Sequence, residues 1–174
     1  MPDPFDILGL PARFDLDGSA LHRAWLAGSA RLHPDRPGQS SEPDTELAQK
    51  LAELAALNRA KSVLADPIQR AEALLERLGG GEPSKESDKS LPEGFLLDML
   101  EVREQVEQAA ASRNLIEMAR LEVWAGQKRQ EAIETVRGLF AAHTAGDRAA
   151  LVGVRREINA WRYIERLIEQ LPLE

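Results

Sequence analysis

His33 and Asp35 come closer than any other residues to a reactive pair, because a carboxylate near an imidazole can orient it as a general base. Pro34 lies between them, and proline fixes its own φ and moves the preceding residue out of the helical region. The tripeptide therefore predicts a rigid polar turn at the end of a helix. A solvated turn offers no desolvated pocket that would tune the pair for proton transfer, so we expect it to bind a partner.

Other catalytic or metal chemistry has little support in the sequence. The chain has no Cys, which removes disulfides, thiolate nucleophiles and the usual thiolate ligands of zinc or iron–sulfur clusters. His22 and His143 have no ligand partners at a metal-binding spacing. A carboxylate pair, a nucleophile–base set and a phosphate-cradling loop are also missing. We therefore predict a protein that is not an enzyme and that holds no metal or cofactor.

The composition favours helices packed on helices. Aromatic residues make up only 5% of the chain, while a hydrophobic content of 43% is enough for a core. The net charge of -7 makes nucleic acid and anionic membranes poor partners. The N-terminal residues lack the basic and apolar runs of a leader, and no stretch approaches about 18 uncharged apolar residues. We expect an all-α, cytoplasmic protein.

The turn must be positioned by a helix that begins near Asp17. On this segment Leu21, Trp25, Gly28 and Leu32 recur at helical spacing, so that His33 comes at its end. Residues 33–43 have the composition of a loop. Further helices are predicted over residues 3–8, 44–65 and 67–78, the last two separated by the capping pair Asp66-Pro67 and the last ended by Gly79. The apolar positions of these last two helices are Leu47, Leu51, Leu54, Leu57 and Leu64, then Ile68, Ala71, Leu75 and Leu78.

These first 79 residues resemble a J domain, and more narrowly the HscB-type J proteins of iron–sulfur cluster assembly. The resemblance rests on Asp3-Pro4-Phe5-Asp6-Ile7-Leu8-Gly9-Leu10, Leu57-Asn58-Arg59-Ala60 and Asp66-Pro67-Ile68-Gln69-Arg70-Ala71-Glu72, in addition to the His-Pro-Asp turn. It implies that His33, Pro34 and Asp35 engage an HscA/DnaK-type chaperone in its ATP state and promote ATP hydrolysis by that partner.

The same resemblance implies that basic residues near the turn meet an acidic groove on the chaperone. Arg23, Arg31 and Arg36 are the residues available for this role. The sequence departs from the family pattern in two places. Leu26, Ala27 and Ala30 leave the exposed face of the second helix with few charges, and Lys61 replaces a usual aromatic residue, where its stem could cover apolar surface.

Residues 80–90 separate this predicted J domain, 1–79, from a second module, 91–174. The run Gly80-Gly81-Glu82-Pro83-Ser84 and the polar residues after it contain almost nothing apolar, which is typical of a linker. Periodicity in the second module predicts a three-helix bundle with helices over about 91–111, 113–143 and 147–171. The core stripe of the last helix consists of Leu151, Val154, Ile158, Trp161, Ile168 and Leu171.

The first helix of this bundle carries two apolar faces. At about 100° per residue, the core face consists of Phe95, Met99, Val102, Val106 and Ala109. Leu96, Leu97 and Leu100 fall about 100–200° from Phe95, on the opposite side, with Glu101, Arg103 and Glu104 at their border. An exposed apolar surface with a charged rim predicts a protein-binding site.

In the HscB-type family this surface resembles the one that holds the iron–sulfur cluster scaffold protein of the IscU type. Carried over by position, the scaffold contacts would be Leu96, Leu97, Leu100, Glu101, Arg103 and Glu104, with Tyr163 added from the third helix because it lies about 200° from Trp161, off the core stripe. The protein would then be a co-chaperone that presents the scaffold to the chaperone.

Two other interpretations remain open from the residues alone. The first half of the chain could serve a J-domain co-chaperone with a different client. Alternatively, Leu96, Leu97 and Leu100 could pack against the J domain or against a second copy, which would make the protein a self-associating helical interaction protein.

Overall fold

The computed structural model describes residues 2–32, 44–79, 89–147 and 149–171. Within these ranges every regular element is an α-helix, which confirms the predicted all-α fold. The chain divides into two compact units, Met1–Arg77 and Leu78–Glu174. Of the predicted linker 80–90, residues 80–88 lie outside the described residues, so that its extent stays a prediction.

The described part of the N-terminal unit contains four helices, α1 Pro4–Leu8, α2 Gly18–Leu32, α3 Asp44–Ala65 and α4 Pro67–Arg77. Asp3 caps α1 by accepting a hydrogen bond from the backbone N–H of Phe5 (2.8 Å), and Asp66 caps α4 by accepting one from Gln69 (2.9 Å). Phe5, Leu64 and Leu75 are completely buried and bring α1, α3 and α4 into one core.

Helices α2 and α3 form an antiparallel pair. The indole N–H of Trp25 donates a hydrogen bond to Asn58. Gly28, three residues later on α2, packs on Leu57, which comes earlier on α3. A Cβ at Gly28 would lie 2.9 Å from both terminal methyl carbons of Leu57, so glycine permits this close approach. The end of α2 therefore lies beside the first half of α3, and Leu47 and Leu51, nearer the start of α3, are exposed.

The predicted apolar stripe of α4 is wrong at its end. Leu78 is exposed, and Leu74 is buried together with Ala71 and Leu75. The reason is that α4 ends at Arg77, and Gly79 adopts a left-handed φ of 76°, so Leu78 lies beyond the last helical turn.

The C-terminal unit contains α5 Phe95–Ser112, α6 Leu115–Thr144 and α7 Ala150–Ile168. The three helices begin two to four residues later than the sequence predicts. Gly94, at φ 78°, precedes α5, and Arg113, at φ 50°, ends it. Asn114 caps α6 by accepting a hydrogen bond from Glu117 N–H at 3.2 Å, and Asp147 accepts one from Ala149 N–H at 2.9 Å before α7 begins.

The core of this unit is the predicted stripe of α7 packed on α5 and α6. Leu151, Val154, Ile158, Trp161 and Leu171 are buried and Ile168 is partly buried, which confirms that stripe. Trp161 is only 2% exposed, and its indole N–H donates to Glu165 at 2.8 Å. Val106 of α5 and Val136 of α6 are completely buried, and Val106 packs in one cluster with Leu167 and Leu171.

Glu165 joins α7 to α6 through a bidentate ion pair. The Nε and Nη2 atoms of Arg129 each donate to the Glu165 carboxylate at 2.6 Å. The hydrogen bonds from Arg129, with a smaller contribution from Trp161, lower the pKa of Glu165 although its partial burial acts in the opposite direction. Glu157 has the opposite shift, because burial and then the nearby charge of Glu131 raise its pKa, against the attraction of Lys128.

These two carboxyls predict opposite changes in the pH dependence of stability. A lowered pKa in the folded chain means that Glu165 stabilises the fold above its unfolded pKa and loses that contribution as the pH falls. We therefore expect Glu165→Gln to cost up to about 1 kcal/mol in the free energy of unfolding at neutral pH and to lose less stability on acidification than the unmodified chain.

Glu157→Gln is the matched control for this prediction. Since the folded pKa of Glu157 is raised, this residue contributes a gain in stability on acidification, and its removal should make the loss of stability larger. Urea unfolding at neutral pH and near pH 4 measures both changes in the free energy of unfolding. Identical pH dependence in the two variants would contradict the assignment.

Candidate functional site

The predicted chaperone-binding turn follows directly on the last residue of α2. His33, Pro34, Asp35 and Arg36 lie outside the described residues. The structure describes the helices on either side: α2 ends at Leu32 and α3 begins at Asp44. Because these two helices are antiparallel, the predicted turn starts at the tip of a packed helix pair.

The basic surface predicted along α2 is sparse. Arg23 and Arg31 are both exposed. Arg23 donates to the hydroxyl of Ser19 at 2.9 Å and lies 3.8 Å from the Asp17 carboxylate, so part of its charge is balanced within the helix. Leu26 is 47% exposed, which adds an apolar side chain to the same helix.

Lys61 packs over the ring of Trp25. Its Nζ lies 3.6 Å from the ring centroid, a cation–π distance, and the Trp25 indole N–H donates to Asn58 at 2.8 Å. The Lys61 side chain thus covers Trp25 from α3. This contact joins α2 to α3 about two turns before α2 ends, which restrains the helix that leads into the turn.

The leucine patch, formed by Leu96, Leu97 and Leu100, is exposed on the first two turns of α5. These side chains are 57%, 72% and 59% exposed, whereas Met99, between them in sequence, is buried. The helix therefore buries one apolar face in its own unit and presents a second to solvent. An exposed cluster of this kind is typical of a surface that binds another protein.

Charged side chains at the border of the patch are held by contacts along α5. Arg103 Nε donates to Glu107 at 2.9 Å, and Glu101 accepts from Gln105 at 3.1 Å. The hydrogen bond and charge of Glu107 raise the pKa of Arg103, and Tyr163 adds a smaller contribution. Glu104, the remaining rim residue, is exposed. The rim of the patch thus has one positive charge, on Arg103, next to several carboxylates.

Tyr163 lies beside this surface but not in the way the sequence predicts. The sequence predicts it off the core stripe, and that prediction is wrong, because the side chain is partly buried. It packs against two groups of buried residues, one that includes Val106 and Leu167 and one that consists of Met99, Ala125 and Ile164. Its ring meets Phe95 edge-on, with centroids 5.5 Å apart. Because Phe95 and Val102 pack against the same buried residues as Tyr163, α7 brings it beside α5.

Two residues of this arrangement were missed by reasoning from the sequence. Glu107 fixes Arg103, and its signal was present as an i,i+4 pair of opposite charge. Phe95 was assigned to the core, yet it is partly exposed and connects Tyr163 to the start of α5. No sequence spacing predicts that contact, because it depends on how α7 packs on α5.

The exposed surfaces described above lie on α2 and α5, within the described residues. Across them, no three His, Asp or Glu side chains converge where they could hold a metal ion. None of the helices in the same ranges combines the length and apolar content that a membrane crossing requires.

Comparison with known proteins identifies relatives over nearly the whole chain. A family model described as the HSCB C-terminal oligomerisation domain matches residues 91–172. The co-chaperone protein HscB homolog of Bordetella petrii is 31% identical over 169 residues, which cover 97% of this chain and 94% of the relative. The co-chaperone protein HscB homolog of Bordetella avium is 33% identical over 171 residues, with 97% and 95% covered.

Solved structures show the same fold. The crystal structure of the human co-chaperone protein HscB superimposes with a TM-score of 0.80 at 22% identity and covers 98% of this chain and 81% of its own. The chaperone HscB from Vibrio cholerae gives a TM-score of 0.69 at 25% identity and covers 95% of both chains. At 22% identity, the similarity to the human protein is evidence for the fold alone.

Proposed function

The chain belongs to the HscB family of co-chaperones, and on this basis we propose that it couples an HscA/DnaK-type chaperone to the scaffold protein of iron–sulfur cluster assembly. The N-terminal unit stimulates the ATPase of the chaperone through His33, Pro34 and Asp35. The C-terminal unit binds a scaffold of the IscU type and delivers it for cluster transfer. The protein performs no catalysis of its own and works in the cytoplasm beside its chaperone.

Stimulation without catalysis requires differential binding. A ligand shifts a conformational equilibrium only as far as it binds one state better than the other. The tripeptide would favour the arrangement of the chaperone that hydrolyses ATP, while Arg23 and Arg31 on α2 add attraction near the same surface. The packing of α2 on α3 through Trp25 and Gly28 supports this idea, because Arg23 and Arg31 extend from a helix that is already held in place.

The observation that carries the client half of the proposal is the exposure of the leucine patch. Three leucines on two turns of one helix, each more than half exposed and bordered by charge, resemble the apolar centre and polar rim of a protein interface. Burial of each leucine by a partner contributes roughly 1.5–3 kcal/mol before ordering and association costs are subtracted. A micromolar complex is within reach of that contribution.

The direct experiment is a steady-state ATPase assay with purified chaperone, scaffold protein and this chain. We expect the chain to raise the hydrolysis rate of the chaperone, and the scaffold to raise it further. A co-chaperone with a different client would stimulate the chaperone to the same extent whether or not the scaffold was present. Absence of any stimulation would contradict the whole proposal.

Self-association is a second candidate activity of the C-terminal unit. The specific observation in its favour is that the family model matching residues 91–172 is described as an oligomerisation domain. Self-association does not conflict with scaffold binding if the two activities use different surfaces. Sedimentation of the purified chain over a range of concentrations tests whether it occurs.

A further inference from the structure

A second exposed apolar surface runs along α6. Ile116 is 84% exposed and Val123 is 62% exposed, and Ala119 between them is also exposed. At about 100° per residue, Ile116 and Val123 differ by about 20° around the helix axis and Ala119 lies within about 60° of both, so the three form one stripe, which we call the α6 stripe. Leu115, exposed at the first residue of α6, lies at its border.

The α6 stripe lies opposite the face of α6 that is buried in its own unit. Met118, Leu121 and Ala125 are buried, and on a helix these positions fall on the other side from Ile116 and Val123. The packing of α5 and α7 therefore does not account for the apolar character of the stripe. Its small central residue, Ala119, would let another helix approach closely.

The charges beside the α6 stripe are self-complementary. Arg120 and Glu117 lie on the same flank of the stripe and are 2.7 Å apart within one chain. When two copies of a helix pair face to face and antiparallel about a two-fold axis, the same flanks meet. With the axis near Ala119, Ile116 faces Val123 of the second copy, and Arg120 lies next to Glu117 of the second copy, twice over.

We infer that the α6 stripe is an interface at which two copies of this chain associate through antiparallel α6 helices. The inference rests on the self-association proposed above and assigns the surface that performs it. The stripe begins on α6 near the end of α5, whereas the leucine patch occupies the first two turns of α5. A dimer formed at the α6 stripe thus leaves the leucine patch available to a client.

Sedimentation equilibrium from low micromolar to near-millimolar concentration tests this inference on the full chain. We expect the average mass of the unmodified chain to rise from 19.2 kDa toward twice that value. The double variant Ile116→Glu/Val123→Glu should stay at the single-chain mass, with at least a tenfold weaker association. Leu97→Glu, an equally drastic change at the leucine patch, is the matched control and should associate like the unmodified chain.

A charge exchange adds a readout that a folding defect would not produce. Arg120→Glu alone should weaken association, and Arg120→Glu combined with Glu117→Arg should restore it. If Ile116→Glu/Val123→Glu associates normally, or if Leu97→Glu is the variant that abolishes association, the α6 interface is overturned while self-association stands. If the unmodified chain stays at 19.2 kDa throughout, both are overturned.

Discussion

Replacing His33 by Gln is expected to abolish the stimulation of the chaperone ATPase by this chain. Glutamine keeps a polar side chain but lacks the imidazole ring, so the predicted turn loses the group that would discriminate between states of the chaperone. A loss of at least tenfold in the stimulated rate corresponds to about 1.4 kcal/mol of preferential binding. The measurement is ATP turnover by the chaperone at saturating co-chaperone.

The matched control is the same substitution in the C-terminal unit, His143→Gln. His143 lies in the last turn of α6, where its Nδ1 is 3.3 Å from a backbone carbonyl oxygen, and it is remote in sequence from the turn. This variant should stimulate the ATPase like the unmodified chain. A His33→Gln protein that is folded by circular dichroism and fully active would refute the proposed role of the turn.

Truncating the leucine patch is expected to remove scaffold binding and leave basal ATPase stimulation intact. The triple variant Leu96→Ala/Leu97→Ala/Leu100→Ala loses most of the apolar area that the proposed interface buries, at roughly 1 kcal/mol or more per side chain. The combined loss should weaken the complex by about 100-fold or more. Because all three side chains are exposed, the variant should unfold at the same urea concentration as the parent.

Three exposed aliphatic residues on another helix provide the control for this experiment. Leu115→Ala/Ile116→Ala/Val123→Ala removes comparable apolar area from α6 and should bind labelled scaffold like the unmodified chain. Equal losses of affinity in the two triple variants would indicate a general effect of surface hydrophobicity. Undiminished binding by the leucine-patch variant would place the client elsewhere or point to a different client.

Hydrophobic periodicity was sufficient to predict the helices and most of their buried faces. Met99, Val106 and Ala109 on α5, and Ile158 and Trp161 on α7, are buried as their spacing predicts. The helix starts were less predictable, since they depend on single backbone conformations. Gly94 adopts a left-handed conformation, so α5 begins only at Phe95. Arg113 is also left-handed and ends α5, and the next residue, Asn114, caps α6.

Tyr163 shows why a single apolar stripe is not enough to predict which side chains of a bundle helix are buried. α7 packs against both α5 and α6, so it is covered over a wide arc, and a side chain about 200° from Trp161 still meets Phe95 on α5. The same limit applies to the ion pair between Arg129 and Glu165, which joins two helices at a register that no spacing within one segment specifies.

The proposed site was predictable to the extent that it lies within single helices. The leucine patch and its rim occupy consecutive turns of α5, so an angle count was enough to assign them to one exposed side. The cation–π contact of Lys61 with Trp25 depends on the packing of α2 on α3, and the sequence indicated only that the lysine stem would cover apolar surface.

The central claim is that one chain must carry both the turn and the leucine patch, and a complementation assay tests it most directly. ATP turnover by the chaperone is measured with scaffold and an equimolar mixture of His33→Gln and the leucine-patch variant, at concentrations where the chain is monomeric. We predict that the mixture lacks the additional stimulation that scaffold gives with the unmodified chain. A mixture as active as the unmodified chain would contradict coupling through a single polypeptide.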